Sequence, residues 1–205
     1  MTRVKICGIR HTENAIEATK RGADMIGFVF AKSKRQVTVE QAKQIASSLP
    51  TNIKKVGVFV NASQEELEAT AHSVGLDYVQ LHGDESLKFC QQLSIPYIKS
   101  FRVQSKDDLE QTKQYNDADY ILLDSATGPY RGGNGTQFDW QILNDLPFEH
   151  ERLILAGGLN QDNVKYAISQ TTPKVVDVSS GVEFEGHKSN QLINQFIQSV
   201  KECSK

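Results

Sequence analysis

An α/β chain folded as a single (β/α)8 TIM barrel is what this sequence predicts over residues 1–205. Two observations lead there. Eight short apolar, β-branched runs alternate with longer runs whose apolar residues recur every three or four positions. The short runs are near-continuously apolar, as strands are when helices cover a parallel sheet. An open doubly wound sheet is the alternative that the same alternation allows.

The strands are expected at Arg3–Ile6, Met25–Phe30, Lys55–Val60, Tyr78–Leu81, Tyr97–Ser100, Tyr120–Leu123, Leu153–Leu155 and Val175–Val178. About eight helices should connect and follow them, the clearest being Thr12–Arg21, Val39–Ser48, Ser63–Ser73, Asn160–Ser169 and Asn190–Glu202. Ser63 three residues before Glu66 has the spacing of a capping box. No low-complexity segment divides the chain, so one domain is expected.

Bulk properties exclude several function classes. The formal net charge is −2, which implies no nucleic-acid or acidic-membrane partner. No apolar run has the length of a membrane span, and the N-terminus lacks the pattern of a signal peptide. Cys7, Cys90 and Cys203 are too scattered for a disulfide framework, so a cytoplasmic protein is expected. The cysteines and five histidines show no zinc spacing, and no nucleotide-binding loop is present. The expected chemistry needs neither metal nor organic cofactor, and no obligate protein partner is implied.

In a barrel, function gathers where strands run into the loops that follow them. Two of these ends are reactive. Lys5-Ile6-Cys7-Gly8-Ile9 closes strand one on a thiol, and Leu122-Leu123-Asp124-Ser125 closes strand six on a carboxyl group. A thiolate can take a proton from carbon and a carboxylic acid can give one to a sugar oxygen, so an isomerase acting on one small molecule is suggested. The plainer readings are a buried apolar cysteine and a capping aspartate. Period two puts Lys5 on the face of Cys7, where its charge would lower the thiol pKa. Asp177 on strand eight should pair with Lys5 across the barrel seam, because each would otherwise be a lone interior charge. Asp124 needs partial desolvation to hold its proton near neutral pH.

Ala156-Gly157-Gly158-Leu159-Asn160, expected to open a helix directly after strand seven, and Ser179-Ser180-Gly181-Val182-Glu183 after strand eight are the usual places for a phosphate in such barrels. Gly157, Gly158, Ser180 and Gly181 are the candidate phosphate-binding positions; two tight turns are the plainer alternative. Arg131-Gly132-Gly133-Asn134-Gly135-Thr136 is read as a lid, a plain flexible loop being the alternative. Arg35 is either a solvated charge beside Lys32 and Lys34 or a planar fork for a carboxylate. His82 at the end of strand four is either structural or a substrate contact.

These motifs, in this order, together with Gln80-Leu81-His82-Gly83, the glycine loop before Phe138-Asp139-Trp140 and Asp177-Val178-Ser179, resemble the phosphoribosylanthranilate isomerase family nearly end to end. The resemblance implies a (β/α)8 barrel that converts N-(5-phosphoribosyl)anthranilate to 1-(2-carboxyphenylamino)-1-deoxyribulose 5-phosphate in L-tryptophan biosynthesis. It also implies residue roles. Asp124 matches the general acid on the ribose ring oxygen and Cys7 the general base at C2′. Arg35 matches the arginine at the anthranilate end, and His82 and Asp177 line the site. Gly157, Gly158, Ser180 and Gly181 match the phosphate-binding backbone. The rivals are another phosphosugar barrel enzyme, such as an epimerase or lyase, and a non-catalytic phosphate-ligand binding module, since one barrel hosts many chemistries.

Overall fold

The computed structural model describes residues 1–125 and 140–203 of the chain. Eight parallel strands close into a barrel in sequence order: β1 (Arg3–Cys7), β2 (Met25–Val29), β3 (Lys54–Phe59), β4 (Tyr78–Leu81), β5 (Tyr97–Val103), β6 (Tyr120–Ser125), β7 (Leu153–Ala156) and β8 (Val175–Val178). Each begins within a residue of its expected start. β5 is the one that runs appreciably further than expected, and Arg102 lies within it.

The helices are α1 (Thr12–Arg21), α2 (Val39–Ser47), α3 (Gln64–Val74), α4 (Leu87–Cys90), α5 (Lys106–Glu110), α6 (Val164–Thr171) and α7 (Asn190–Glu202). Local chemistry sets their starts. The Ser63, Ser86 and Ser189 hydroxyls accept N–H bonds from the first turns of α3, α4 and α7. Thr38 and Gln41 form a reciprocal capping box on α2, whereas at Ser63 the serine half of the expected box is present. The connecting helices are unequal in length: α4 and α5 are single turns, and Trp140–Asp145 is a 3-10 turn. Asn160 does not open a helix either. Its carbonyl side-chain oxygen accepts from the N–H groups of Asp162 and Asn163, and α6 begins at Val164.

The apolar core divides in two. A large cluster lies between strands and helices, including Ile6, Phe28, Leu81, Leu123, Val178 and Phe196. A smaller one fills the barrel: Met25, Val56, Ile98, Leu122, Ile154, Ala156 and Val175, with Tyr78 and Tyr120 beneath. The register, climbing one residue per strand with the tilt, sorts inward side chains into layers from alternate strands. Met25, Tyr78, Tyr120 and Val175 form the lowest. Above them come Lys5, Val56, Ile98 and Ile154, then Gly27, Gln80, Leu122 and Asp177. Next are Cys7, Val58, Ser100 and Ala156, and at the mouth Val29, His82, Asp124 and Ser179. Polarity rises from floor to mouth along the C-terminal direction of the strands.

A two-stranded hairpin, β9 (Glu183–Phe184) and β10 (His187–Lys188), projects after β8. No helix among the described residues is long and apolar enough to cross a membrane.

Candidate active site

Cys7 ends β1 with its side chain buried one layer below the mouth of the barrel. Lys5, two residues earlier on the same face, is fully buried, and its Nζ donates to Asp177 Oδ2 at 2.9 Å. The expected seam pairing is therefore present, with Lys5 and Asp177 directly in register between β1 and β8. Gly27 on β2 leaves room for this cluster. A Cβ there would stand 2.9 Å from the Cys7 sulfur and 3.2 Å from Lys5 Nζ.

The electrostatics differ from the expectation for Cys7. Burial pushes its thiol up, Lys5 pulls it down, Asp177 pushes it up and Lys188 pulls it down, and the net direction is up. The expected lowering by Lys5 exists but does not prevail, because desolvation of a thiolate in a buried site is the larger effect. For Lys5, burial favours loss of the proton, but Asp177 and Cys7 outweigh it and hold the ammonium above its usual range.

Asp124 turns inward at the barrel mouth from β6, three strands round from β1. Burial, reinforced by the Asp177 charge and opposed by Arg102, raises its carboxyl to about 6. That places a proton donor near neutrality, as its expected role requires. His82 shares the mouth layer, with Gln80 Nε2 3.3 Å from its Nδ1. Burial lowers its pKa, so the ring is held neutral. His82, Ser100 and Arg102 also line a cavity of about 530 Å³ that opens beside β4 and β5. The turn under His82 is pinned from below by a buried pair: Lys99 donates to Glu85 and to the Gly83 carbonyl, each at 2.7 Å.

Arg35 is not a solvated member of a basic run. Its Nε and Nη2 donate to the two oxygens of Glu183 at 2.6 and 2.7 Å, a bidentate pair that fixes the guanidinium over the mouth. Gly8 permits this; a Cβ there would come within 2.6 Å of Arg35 Cδ. Glu183 also accepts from Lys188 Nζ at 2.8 Å. Burial alone would raise Glu183, but Arg35 and Lys188 hold its carboxyl down at about 2. Lys188 further donates to the Ser179 carbonyl at 2.8 Å, and the Ser179 hydroxyl donates to the Cys7 carbonyl at 3.2 Å. Glu183 and Lys188 were not singled out from sequence. The available signal was the Ser-Ser-Gly-Val-Glu run itself, which ends on a carboxylate.

After β7, Gly157 and Gly158 both take left-handed φ values, +88° and +64°. The loop after β8 carries Ser180 and Gly181 in a 3-10 turn, Ser180–Val182. A Cβ at Gly181 would lie 1.9 Å from the Leu159 carbonyl oxygen, so the two glycine loops touch and form one wall. Residues 131–136 and Phe138-Asp139 fall outside the described residues.

Fold and site together define a class: a (β/α)8 barrel whose mouth sets a buried thiol opposite a proton-holding carboxyl group, beside paired glycine loops. Known proteins narrow it. Residues 4–199 match the family model described as N-(5′phosphoribosyl)anthranilate (PRA) isomerase. The chain is 50% identical over 203 residues to N-(5′-phosphoribosyl)anthranilate isomerase of Bacillus cereus, covering 98% of this chain and all of that protein. The enzyme of the same name from Bacillus mycoides is also 50% identical, over 204 residues, covering 99% of this chain and all of that one. Phosphoribosyl anthranilate isomerase from Thermotoga maritima superposes with a TM-score of 0.89 at 44% identity, over 98% of this chain and 100% of that one. A phosphoribosyl anthranilate isomerase in complex with reduced 1-(o-carboxyphenylamino)-1-deoxyribulose 5-phosphate superposes with a TM-score of 0.86 at 41% identity, again over 98% and 100%. The chain belongs to the phosphoribosylanthranilate isomerase family and is an isomerase of tryptophan biosynthesis.

Proposed function

We propose that Cys7 and Asp124 divide the proton transfers of the Amadori rearrangement of N-(5-phosphoribosyl)anthranilate between them. The observation that carries this is the opposition of a buried thiol on β1 and a carboxyl group raised to about 6 on β6. Asp124 gives its proton to the ribose ring oxygen as the C1′–O bond breaks, and the electrons on nitrogen close a Schiff base. The C2′–H bond, now acidified, loses its proton to the Cys7 thiolate, whose charge faces the buried ammonium of Lys5. The enolamine then ketonises, taking a proton at C1′ and releasing that of the 2′-hydroxyl.

Binding follows from the same geometry. The glycine wall of Gly157, Gly158, Ser180 and Gly181 receives the phosphate through backbone N–H groups. Arg35, held rigid by Glu183 through Nε and Nη2, turns its remaining edge to the anthranilate carboxylate. Asp177 uses Oδ2 for Lys5, and its buried Oδ1 is left for a substrate hydroxyl. His82, neutral, shares the mouth layer with Asp124. The substrate is thus a phosphosugar, and the place of work is the cytoplasm.

The test is the loss of phosphoribosylanthranilate fluorescence on turnover. Cys7→Ala and Asp124→Asn should each lower kcat by about 10²–10⁴-fold while substrate still binds. Near-wild-type turnover of Cys7→Ser would end the thiolate reading, since a serine hydroxyl is far less acidic.

A further inference from the structure

The charges around Cys7 form two clusters of opposite net sign. With its thiol ionised, Cys7 joins Lys5 and Asp177, whose charges cancel at 2.9 Å, and that group carries one negative charge. Arg35, Lys188 and Glu183 make the second group, joined through one carboxylate at 2.6 and 2.8 Å, and it carries one positive charge. Lys188 is the deeper of its two cations, its side chain 4% exposed against 22% for Arg35. It also ties to the thiol's own strand end through Ser179, whose hydroxyl lies 3.3 Å from Lys188 Nζ and donates to the Cys7 carbonyl.

We propose that Lys188 is a positioning residue for the base of this reaction: carried into the barrel mouth by the β9–β10 hairpin, it supplies the uncancelled positive charge that a Cys7 thiolate requires. Lys5 is nearer to the sulfur, but Asp177 claims its charge. Glu183 moderates Lys188 and orients it, and shares that carboxylate with Arg35. The groups facing Cys7 are thus Lys5 from its own strand, Asp177 from β8, Arg35 from the loop before α2, and Lys188 with Glu183 from the hairpin. Burial is the largest influence on both groups, lowering Lys188 and raising Cys7, but between the two of them the influence favours both charged forms. An opposite charge at close range moves a titration by about 1–3 units.

The inference rests on Cys7 acting as base, but its test does not. Iodoacetamide alkylation of Cys7 is followed against pH in the full chain without substrate, with the Cys7 peptide quantified by mass spectrometry. Cys90 and Cys203 then do not interfere. Lys188→Met should move the alkylation midpoint up by about one unit, a tenfold loss of thiolate at a given pH below it, and Lys188→Arg should largely restore it. Glu183→Gln should move it down, because the same cluster then carries a second uncancelled charge; a merely structural role predicts no such opposite shift. An unchanged midpoint in folded Lys188→Met, equal shifts for the Met and Arg variants, or a rise in Glu183→Gln would overturn the proposal. Should Lys188→Met fail to fold, the sign of the Glu183→Gln shift decides. A midpoint that moves as stated while Cys7→Ala retains turnover would support the role of Lys188 and remove Cys7 as base.

Discussion

Lys5 on β1 and Asp177 on β8 stand in register across the seam that closes the barrel, joined at 2.9 Å with the lysine wholly removed from solvent. The pair locks the last strand to the first at the level where the apolar filling gives way to the reactive mouth. Its geometry also decides the charge economy of the site, because Asp177 raises the pKa of both Cys7 and Asp124.

Breaking that pair on one side should be costly. Lys5→Met leaves a buried carboxylate alone, and a loss of about 3–5 kcal/mol of unfolding free energy is expected in urea titrations followed by circular dichroism. Lys5→Met with Asp177→Leu should recover most of it, since two apolar groups need no partners. A single variant that costs under about 1 kcal/mol would show the seam to be hydrated.

Asp124 predicts a pH slope in stability. Its carboxyl moves from an ordinary 3.8 to about 6 on folding. The folded chain therefore binds the extra proton between those values. The stabilisation is complete below about pH 4 and is lost as pH rises through about 6. Asp124→Asn lacks this loss, so at pH 7 it should exceed the parent by on the order of 1–3 kcal/mol and match it near pH 4, while turnover collapses. Equal melting temperatures of parent and variant at pH 7 would contradict the desolvation of Asp124.

Glu183 has the opposite sign. Its carboxyl falls from 4.5 to about 2 under Arg35 and Lys188. Its contribution is present above about pH 4.5 and is lost as pH falls toward 2. Glu183→Gln should thus flatten the acid limb of the stability profile below pH 4.5. An acid-unfolding curve identical in steepness to the parent's would mean that the bidentate pair is not held in solution.

Gly181 should tolerate no side chain. An alanine Cβ would lie 1.9 Å from the Leu159 carbonyl oxygen, so the two glycine loops must part. Gly181→Ala is expected to cost about 1–3 kcal/mol by overpacking and to raise KM more than it lowers kcat, because the phosphate wall opens while Cys7 and Asp124 stay in place. An unaltered KM would take the phosphate away from this wall.

The strand ends were legible because inward-facing side chains repeat every two residues and apolar runs stop where solvent or ligand begins. Cys7, Asp124 and Asp177 could be placed on that basis, and the Lys5 partnership followed from the cost of an isolated interior charge. Less was legible where short elements are held by tertiary contacts. The single turns α4 and α5 and the late start of α6, which an Asn160–Asn163 turn delays, have too few residues for periodicity to show.

By itself, then, the sequence determined the barrel, its order of strands and which reactive side chains reach the mouth, because these depend on patterns local to each strand and on a rule that is common to parallel barrels. The tertiary structure alone decided the electrostatics. Burial outweighs Lys5 at Cys7, Glu183 takes hold of Arg35, and a hairpin folds Lys188 back onto Ser179, whose hydroxyl donates to the end of the first strand. Charges act through space and through the depth of their surroundings, and neither distance nor depth is written along the chain.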